Sequence, residues 1–504
     1  MSDAHEPSAD EASAVSPKEA VDAALSRARE AQPAWALCGA RARADALRPL
    51  KKRLLRRADE IASTLTSECK KPYEEGLLAE VLPNADLVDY WTRSIEELLA
   101  PELLELDALS YPGKSARVLR EARGVIGLIT PWNYPVAIPL RTLLPALLAG
   151  NAVLFKPSEH TPASGALVAS LFEGLLPEGV LELLQGAGDV GEAVANAEVD
   201  AVVFTGSVTT GRKVAIACAT RLIPCSLELG GNDAAIVLAD APIERAARGI
   251  VWGAFTNAGQ NCASIERVYV VKAVADKFTE RVVALTKELV PERDIGSLTT
   301  AQQAATVRKQ LAAAVSAGAE IACGGVPEID VTAIEPTVLK LTDEAIDLMQ
   351  EETFGPVLPI VVVEDEDEAI RRANASKFGL TASVWTKRVD RSGELARKLC
   401  SGVVTINNHG FTAALPAAPW SGVKHSGFGV TNGPHALHAL VRPRLVLEDR
   451  NRANSELWWY PYTKSLREVA LAMAVLRGGG GIFARIRAVF TLLGALPRRL
   501  LGRP

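Results

Sequence analysis

Three side chains in this sequence stand where they could make and break bonds at a carbonyl carbon. The first is Cys262, in Gly259-Gln260-Asn261-Cys262-Ala263-Ser264. A single cysteine in an apolar stretch is ordinarily a small buried hydrophobe, and Cys218, Cys225 and Cys400 are expected to be of that kind. Cys262 is set instead among Gly, Gln, Asn and Ser, residues of a loop or helix start. Backbone amides in such a place stabilise a thiolate and then an oxyanion. The second is Glu228, in Leu227-Glu228-Leu229-Gly230-Gly231-Asn232, a carboxylate at an apolar strand end before a glycine pair. A salt bridge is one use of such a group. The glycines favour a tight turn that opens the side chain to a cavity, as a general base requires. The third is Asn133, in the proline-stiffened loop Pro131-Trp132-Asn133-Tyr134-Pro135 after a strand, where open α/β sheets bind ligands. Alone, Asn133 would read as a turn cap.

The elements that must carry these residues follow from hydrophobic pattern. Residues 1 to about 16 offer little to bury and are expected to be disordered. Pro17 to about Leu104 has helical periodicity. Ser115 to Leu119 reads as an exposed strand and Gly124 to Thr130 as a buried one. Asn151 to Phe155 and Asp200 to Phe204 read as further buried strands, with a helix from Thr161 to Leu176 between them. Such alternation predicts a parallel, doubly wound sheet. A second alternating stretch runs from Ala234 to about Ile406, with strands at Val268–Val271, Leu358–Val363 and Val403–Ile406. Arg444 to Leu447 suits an edge strand.

Composition narrows the function. The 504 residues, 48% hydrophobic with mean hydropathy +0.12, suggest about three compact units. With 55 basic against 60 acidic residues there is no overall cationic field, so nucleic acid is not an expected partner. The longest uncharged run, Ser401 to Val423, is broken by Asn407, Asn408, Gly410, Pro416 and Pro419 and does not read as a membrane span. Seven cysteines without paired spacing argue against a disulfide framework, and the acidic N-terminus is not expected to be a targeting signal. A cytoplasmic setting is expected. The six histidines show no metal-ligand spacing and no metal is expected; His435 and His438 read as a solvated helix face.

Seven segments together resemble the aldehyde dehydrogenase superfamily: PWNYP (131–135), LFKPSEHTP (154–162), FTGSVTTGR (204–212), LELGGND (227–233), GQNCAS (259–264), EETFGPV (351–357) and PWSGVKHSGFG (419–429). They stand in that family's order with similar spacings, over roughly Pro17 to Leu447. The resemblance implies an α/β fold with a doubly wound NAD-binding domain (17–106 and 125–228, with a return segment 424–439). It further implies a catalytic domain (229–423) and oligomerisation strands (107–124 and 440–450). A homodimer or homotetramer is expected.

By the same resemblance, Cys262 attacks an aldehyde to give a thiohemiacetal whose oxyanion is held by the Asn133 amide and the Cys262 backbone N–H. Hydride transfer to the nicotinamide leaves a thioester, and Glu228 activates the water that hydrolyses it. Branches that pass the acyl group to coenzyme A generally lack this glutamate, so a free acid is the expected product. The implied cofactor set is Thr130, Pro131 and Trp132; Lys156, Ser158 and Glu159; Gly206, Ser207 and Gly211; Leu229; and Glu352 with Phe354. Phe204 to Gly211 ends a strand and opens a helix, whose amides and dipole meet a pyrophosphate. A carboxylate at Glu159 accepts from a ribose 2′-OH and repels a 2′-phosphate, which favours NAD, with NADP as the alternative. Gly186 to Gly191 matches the dinucleotide fingerprint formally but is not expected to hold phosphate.

Ser421-Gly422 replaces the family's usual Gly-Gly, and Gly410 to Leu415 is apolar. An apolar aliphatic or aromatic aldehyde is therefore the expected substrate. The alternatives are an anionic semialdehyde, which needs a cation that only Lys424 offers, and a catalytically silent binding protein.

The stretch from Asn451 to Pro504 departs from the rest. It holds nine basic and two acidic residues in a chain of net charge −5. Ile482, Ile486, Val489, Leu493 and Leu496 fall on one helical face, flanked by Arg485 and Arg487, after a glycine hinge at Gly478 to Gly481. The helix is too short to span and is expected to lie on the inner face of a membrane, the alternative being that the tail docks on its own dimer and buries the apolar face there. Trp458, Trp459, Tyr460 and Tyr462 are expected to pack on the enzyme body.

Overall fold

The computed structural model describes residues 15–500 apart from 108, 109, 328, 330, 343, 453–455 and 457. The N-terminal stretch expected to be disordered lies almost wholly outside the described residues. Its last member, Ser16, is already ordered as the cap of the helix Pro17–Leu37, in a reciprocal box with Glu19. The chain divides into two compact units.

The first unit takes in the chain up to Ala100 and Arg120 to Pro443. It holds a six-stranded sheet in the order Gly427–Phe428, Cys225–Glu228, Ala201–Thr205, Val125–Ile129, Ala152–Lys156, Leu181–Leu183. All pairs are parallel except the first, where Gly427 lies antiparallel and opposite Glu228. The central strands read as unbroken apolar runs because helices cover both faces and almost every side chain is buried. The chain order reverses between Val125–Ile129 and Ala201–Thr205. Beyond the carboxyl ends of those two strands is the crevice where a doubly wound sheet takes its ligand.

A seven-stranded sheet follows in the same unit, in the order Glu320–Cys323, Thr337–Leu341, Val357–Val363, Ile265–Val271, Asp233–Val237, Thr381–Trp385, Val403–Ile406. It is parallel apart from its first pair. The expected helix from Thr161 to Leu176 covers only Pro162–Ser170; Gly174 in a left-handed conformation and Pro177 close the segment as turns. Cys400, expected to be buried, is exposed.

The second unit comprises Pro101–Leu119 and Arg444–Pro504. Its sheet runs Glu102–Leu104, Lys114–Ala122, Val441–Asp449. The anticipated exposed strand, here the central one, and the anticipated edge strand are both longer than their sequence pattern. The strand Glu102–Leu104 falls where helix was expected, because Pro101 cannot extend the preceding helix. Lys114 has almost no exposed side chain; it pairs with Asp449 at 2.9 Å and Glu456 at 2.7 Å and lies over the Trp458 ring. Two helices, Lys464–Ala474 and Ile482–Leu500, complete the unit and pack on each other. The turn between them passes through Gly478 at φ 129°. The aromatic cluster expected to pack away is 46–80% exposed. Among the described residues no helix is long and apolar enough to cross a membrane.

Candidate active site

Cys262 follows the helix Ile243–Phe255 through a turn in which Asn257, Ala258 and Gly259 are all left-handed. A glycine ends the run because a β-carbon at 259 would lie 2.1 Å from the Gly355 carbonyl oxygen. The turn is fixed from inside. The buried Gln260 side chain donates to the Asn257 carbonyl at 3.0 Å and accepts from the Thr299 N–H at 2.8 Å. His409 donates to the Ala263 carbonyl, and burial pushes its imidazole down to about 4, so it is neutral. Burial pushes the Cys262 thiol up, and the carboxylates of Glu352, Asp233 and Glu228 add to this, while Arg141 opposes it. The resting thiol is protonated.

Asn133 reaches this loop directly. Its side-chain amide donates to the Gln260 carbonyl at 3.1 Å, and its own carbonyl accepts from Asn257 at 2.9 Å and from Lys71 Nζ at 3.0 Å. Lys71 is ion-paired to Glu80, with both side chains fully buried. The other Glu80 oxygen accepts the N–H groups of Val136 and Ala137 at 2.9 and 3.1 Å. The loop that presents Asn133 is therefore gripped on both sides by one buried ion pair. Neither Lys71 nor Glu80 carried a sequence signal, since each looks like any charge on a helical stretch.

Glu228 ends its strand with both carboxylate oxygens buried and without a protein partner. Burial pushes its carboxyl well above the ordinary range, against the pull of Arg141. A salt bridge is absent among the described residues, so the carboxyl is left for a ligand or water. The glycine pair after it does not form the tight turn expected. Neither glycine has a positive φ; both are there for close approach. A β-carbon on Gly231 would lie 2.1 Å from the Cys262 carbonyl oxygen, and one on Gly230 would lie 2.2 Å from a Glu352 oxygen. The two segments thus touch backbone to backbone, which is how Glu228 and Cys262 come within reach of each other's charge.

The expected cofactor residues gather at the carboxyl ends of the six-stranded sheet. Ser207 caps the helix Val208–Thr220, accepting from Thr210 N–H at 3.3 Å. Gly211 lies against Leu229, whose side chain a β-carbon would strike at 2.5 Å. Gly206 packs on the Phe204 ring in the same way. Lys156 is buried and paired to the half-exposed Glu159 at 3.0 Å. Burial raises the Glu159 carboxyl, but its own backbone N–H and Lys156 outweigh that and hold it low and ionised. Ser158 accepts from His160 N–H, and the buried Thr130 hydroxyl has no protein partner. Trp132, after Pro131, meets Phe354 edge to face at 5.6 Å. Glu352 accepts from Gly231 N–H at 3.0 Å. Buried Glu266, unnoticed in the sequence, accepts from the N–H groups of Thr353 and Phe354 and from Asn232. It holds Phe354 in a left-handed conformation at φ 50°. Gly186 to Gly191 leads into the helix Gly188–Asn196, between the strands at 181–183 and 201–205.

A cavity of about 660 Å³ opens onto Cys262, walled by Tyr134, Ile138, Val251, Trp252, Phe255 and Phe411. Three cations line it: Arg248 and Arg293 are paired with Glu244 and Asp294, and the third is Arg141, from the helix Ala137–Leu148. It forms no ion pair with any described residue, and burial lowers its pKa. The expected cation Lys424 is spent elsewhere, donating to the carbonyls of Asn374 and Ser376. Arg141 was overlooked because it lies eight residues beyond Asn133 in an otherwise apolar helix.

The aldehyde dehydrogenase family model matches residues 5–446. The chain belongs to the aldehyde dehydrogenase family. It is 37% identical to a 4,4'-diapolycopene aldehyde oxidase of Methylomonas sp, over 88% of this chain and 84% of that one. It is 36% identical to a betaine aldehyde dehydrogenase of Mesorhizobium japonicum, over 83% and 87%. A crystal structure of PnpE in complex with nicotinamide adenine dinucleotide superposes with a TM-score of 0.82 at 31% identity, covering 87% of this chain and 91% of that one. As an aldehyde dehydrogenase, the protein is an oxidoreductase acting on the aldehyde group with NAD or NADP. The residues present fit such a dinucleotide: a capped helix N-terminus for a pyrophosphate, an ionised Glu159 beside Lys156 for a ribose, and the free Thr130 hydroxyl.

Proposed function

We propose that this aldehyde dehydrogenase oxidises an apolar aldehyde to its carboxylic acid with NAD, through an acyl group carried on Cys262. The observation that carries the reading is the backbone contact at Gly231, which brings the segment of an unpaired buried carboxyl, Glu228, against the Cys262 loop, to whose Gln260 carbonyl the Asn133 amide donates. Cys262 gives up its proton to solvent and adds to the aldehyde carbon. The oxyanion of the thiohemiacetal is received by an Asn133 amide N–H and the Cys262 backbone N–H. When bound, NAD supplies the hydride acceptor. Glu228 then takes a proton from the water that attacks the thioester, releasing the acid and restoring the thiol. Glu159 favours NAD over NADP, because an ionised carboxylate accepts from a 2′-OH and repels a 2′-phosphate.

The aromatic and aliphatic wall of the cavity supports an apolar substrate. The aldehyde for which one relative is named, a diapolycopene aldehyde, is in keeping with it. Arg141 supports a second reading, in which an aldehyde bearing a carboxylate is held by the unpaired guanidinium. The test is NADH formation with decanal and with succinic semialdehyde, on the wild type and on Arg141→Leu. The apolar reading expects decanal to be preferred and the variant to keep its decanal KM. Preference for the semialdehyde, with KM raised about tenfold or more in the variant, would replace it with the anionic reading. No NADH from either aldehyde would sink both and favour the silent binding protein.

A homodimer or homotetramer is the proposed assembly. Leu103, Leu445 and Leu447 on the three-stranded sheet are exposed, and sheet edges of this kind are usually covered. Sedimentation at the mass of one chain would count against it. A cytoplasmic setting is supported by seven cysteines that are all free.

A further inference from the structure

The helices Lys464–Ala474 and Ile482–Leu500 pack on each other with short side chains buried, namely Val469, Ala472 and Ala488. A set of long apolar side chains on the second helix points away from this seam. Phe483 is 84% exposed and Phe490 70%, and Ile482, Ile486, Val489 and Leu493 are exposed beside them. These positions recur at steps of three and four, so they form one stripe along the helix. A helix of a water-soluble unit does the reverse, turning such a stripe inward. An apolar patch of this extent marks a surface that meets something.

Charge identifies what it meets. The stripe is bordered by exposed Arg485 and Arg487, and Asn451 to Pro504 carries nine basic residues against two acidic. A second copy of the same face would set one cationic surface on another. Anionic headgroups above an acyl layer match both features: arginine stems lie along apolar surface while their guanidinium groups stay at the phosphate level. Trp458, Tyr460 and Tyr462, exposed in the same unit, have the amphipathic rings that favour such a boundary. No described helix is fit to span, so the stripe must lie in the plane of the surface. The family match ends at residue 446, so this segment is additional to the shared enzyme fold.

We propose that the outward face of Ile482–Leu500 docks on a bilayer surface containing anionic lipid. The test is flotation of the full chain with phosphatidylcholine vesicles, with and without phosphatidylglycerol. The wild type is expected to float with the anionic vesicles and to be released by high salt. Phe483→Asp/Phe490→Asp should cut the floated fraction by about tenfold or more, while hexanal oxidation in solution is unchanged. Arg485→Glu/Arg487→Glu should do the same and serves if the first variant does not fold. The proposal is overturned if the wild type stays with the unbound fraction, if neutral vesicles float it equally, or if both variants float like wild type. It is also overturned if, without lipid, the variants sediment as a smaller assembly than wild type, which would give the face to a second copy.

Discussion

Lys71 and Glu80 form an ion pair with no exposed surface on either side chain, and the pair grips the Asn133 loop from both sides. Removing one member strands the other charge in the interior, a loss of about 3–5 kcal/mol. Lys71→Met is therefore expected to lower the urea midpoint sharply and to slow acylation. The double variant Lys71→Met/Glu80→Met should regain much of the stability, because no lone charge remains, but not the rate. Recovery of the wild-type rate in the double variant would show that the pair does not position Asn133.

Cys262→Ala should abolish aldehyde oxidation, by about a thousandfold or more, with the melting temperature unchanged. The thiol is only partly buried and its hydrogen bond to Asn261, at 3.8 Å, is weak, so little stability is lost. A wild-type rate in the variant would remove Cys262 from the mechanism.

Because burial raises the Glu228 carboxyl, its base form gains population only as pH rises above the ordinary carboxylate range. Thioester hydrolysis should therefore quicken with pH until that group is fully ionised. Glu228→Gln should abolish this dependence and slow turnover by about a hundredfold or more, leaving the first-turnover burst of NADH. Loss of the burst in stopped-flow traces would assign Glu228 to thiol activation instead.

Two glycine substitutions separate the contact that builds the site from a formal motif. Gly231→Ala places a methyl 2.1 Å from the Cys262 carbonyl, a backbone atom that cannot swing aside. It should cost about 1–3 kcal/mol and slow acylation. Gly188→Ala meets nothing within 4 Å, so stability and the KM for NAD should both hold. A large rise in that KM would return the Gly186–Gly191 segment to phosphate binding.

The sequence by itself determined the parallel architecture and made Cys262, Glu228 and Asn133 the candidate chemical groups. Strands such as Val125–Ile129 and Ala152–Lys156 are buried on both faces, and that requirement is written locally as an unbroken apolar run. Motif order carried the family, because seven short segments each keep residue types that their backbone and chemistry demand. The sequence could not tell why Gly230 and Gly231 are glycines, since the atoms that exclude a β-carbon belong to Glu352 and Cys262. Lys71, Glu80, Glu266 and Arg141 were invisible for the same reason. A buried charge differs from a solvated one only in its surroundings, and those are supplied by segments distant along the chain. The tail shows the converse. Its amphipathic stripe was legible as a period, but which face turns outward was decided only when the two helices packed through Val469, Ala472 and Ala488 and left Phe483 and Phe490 outside.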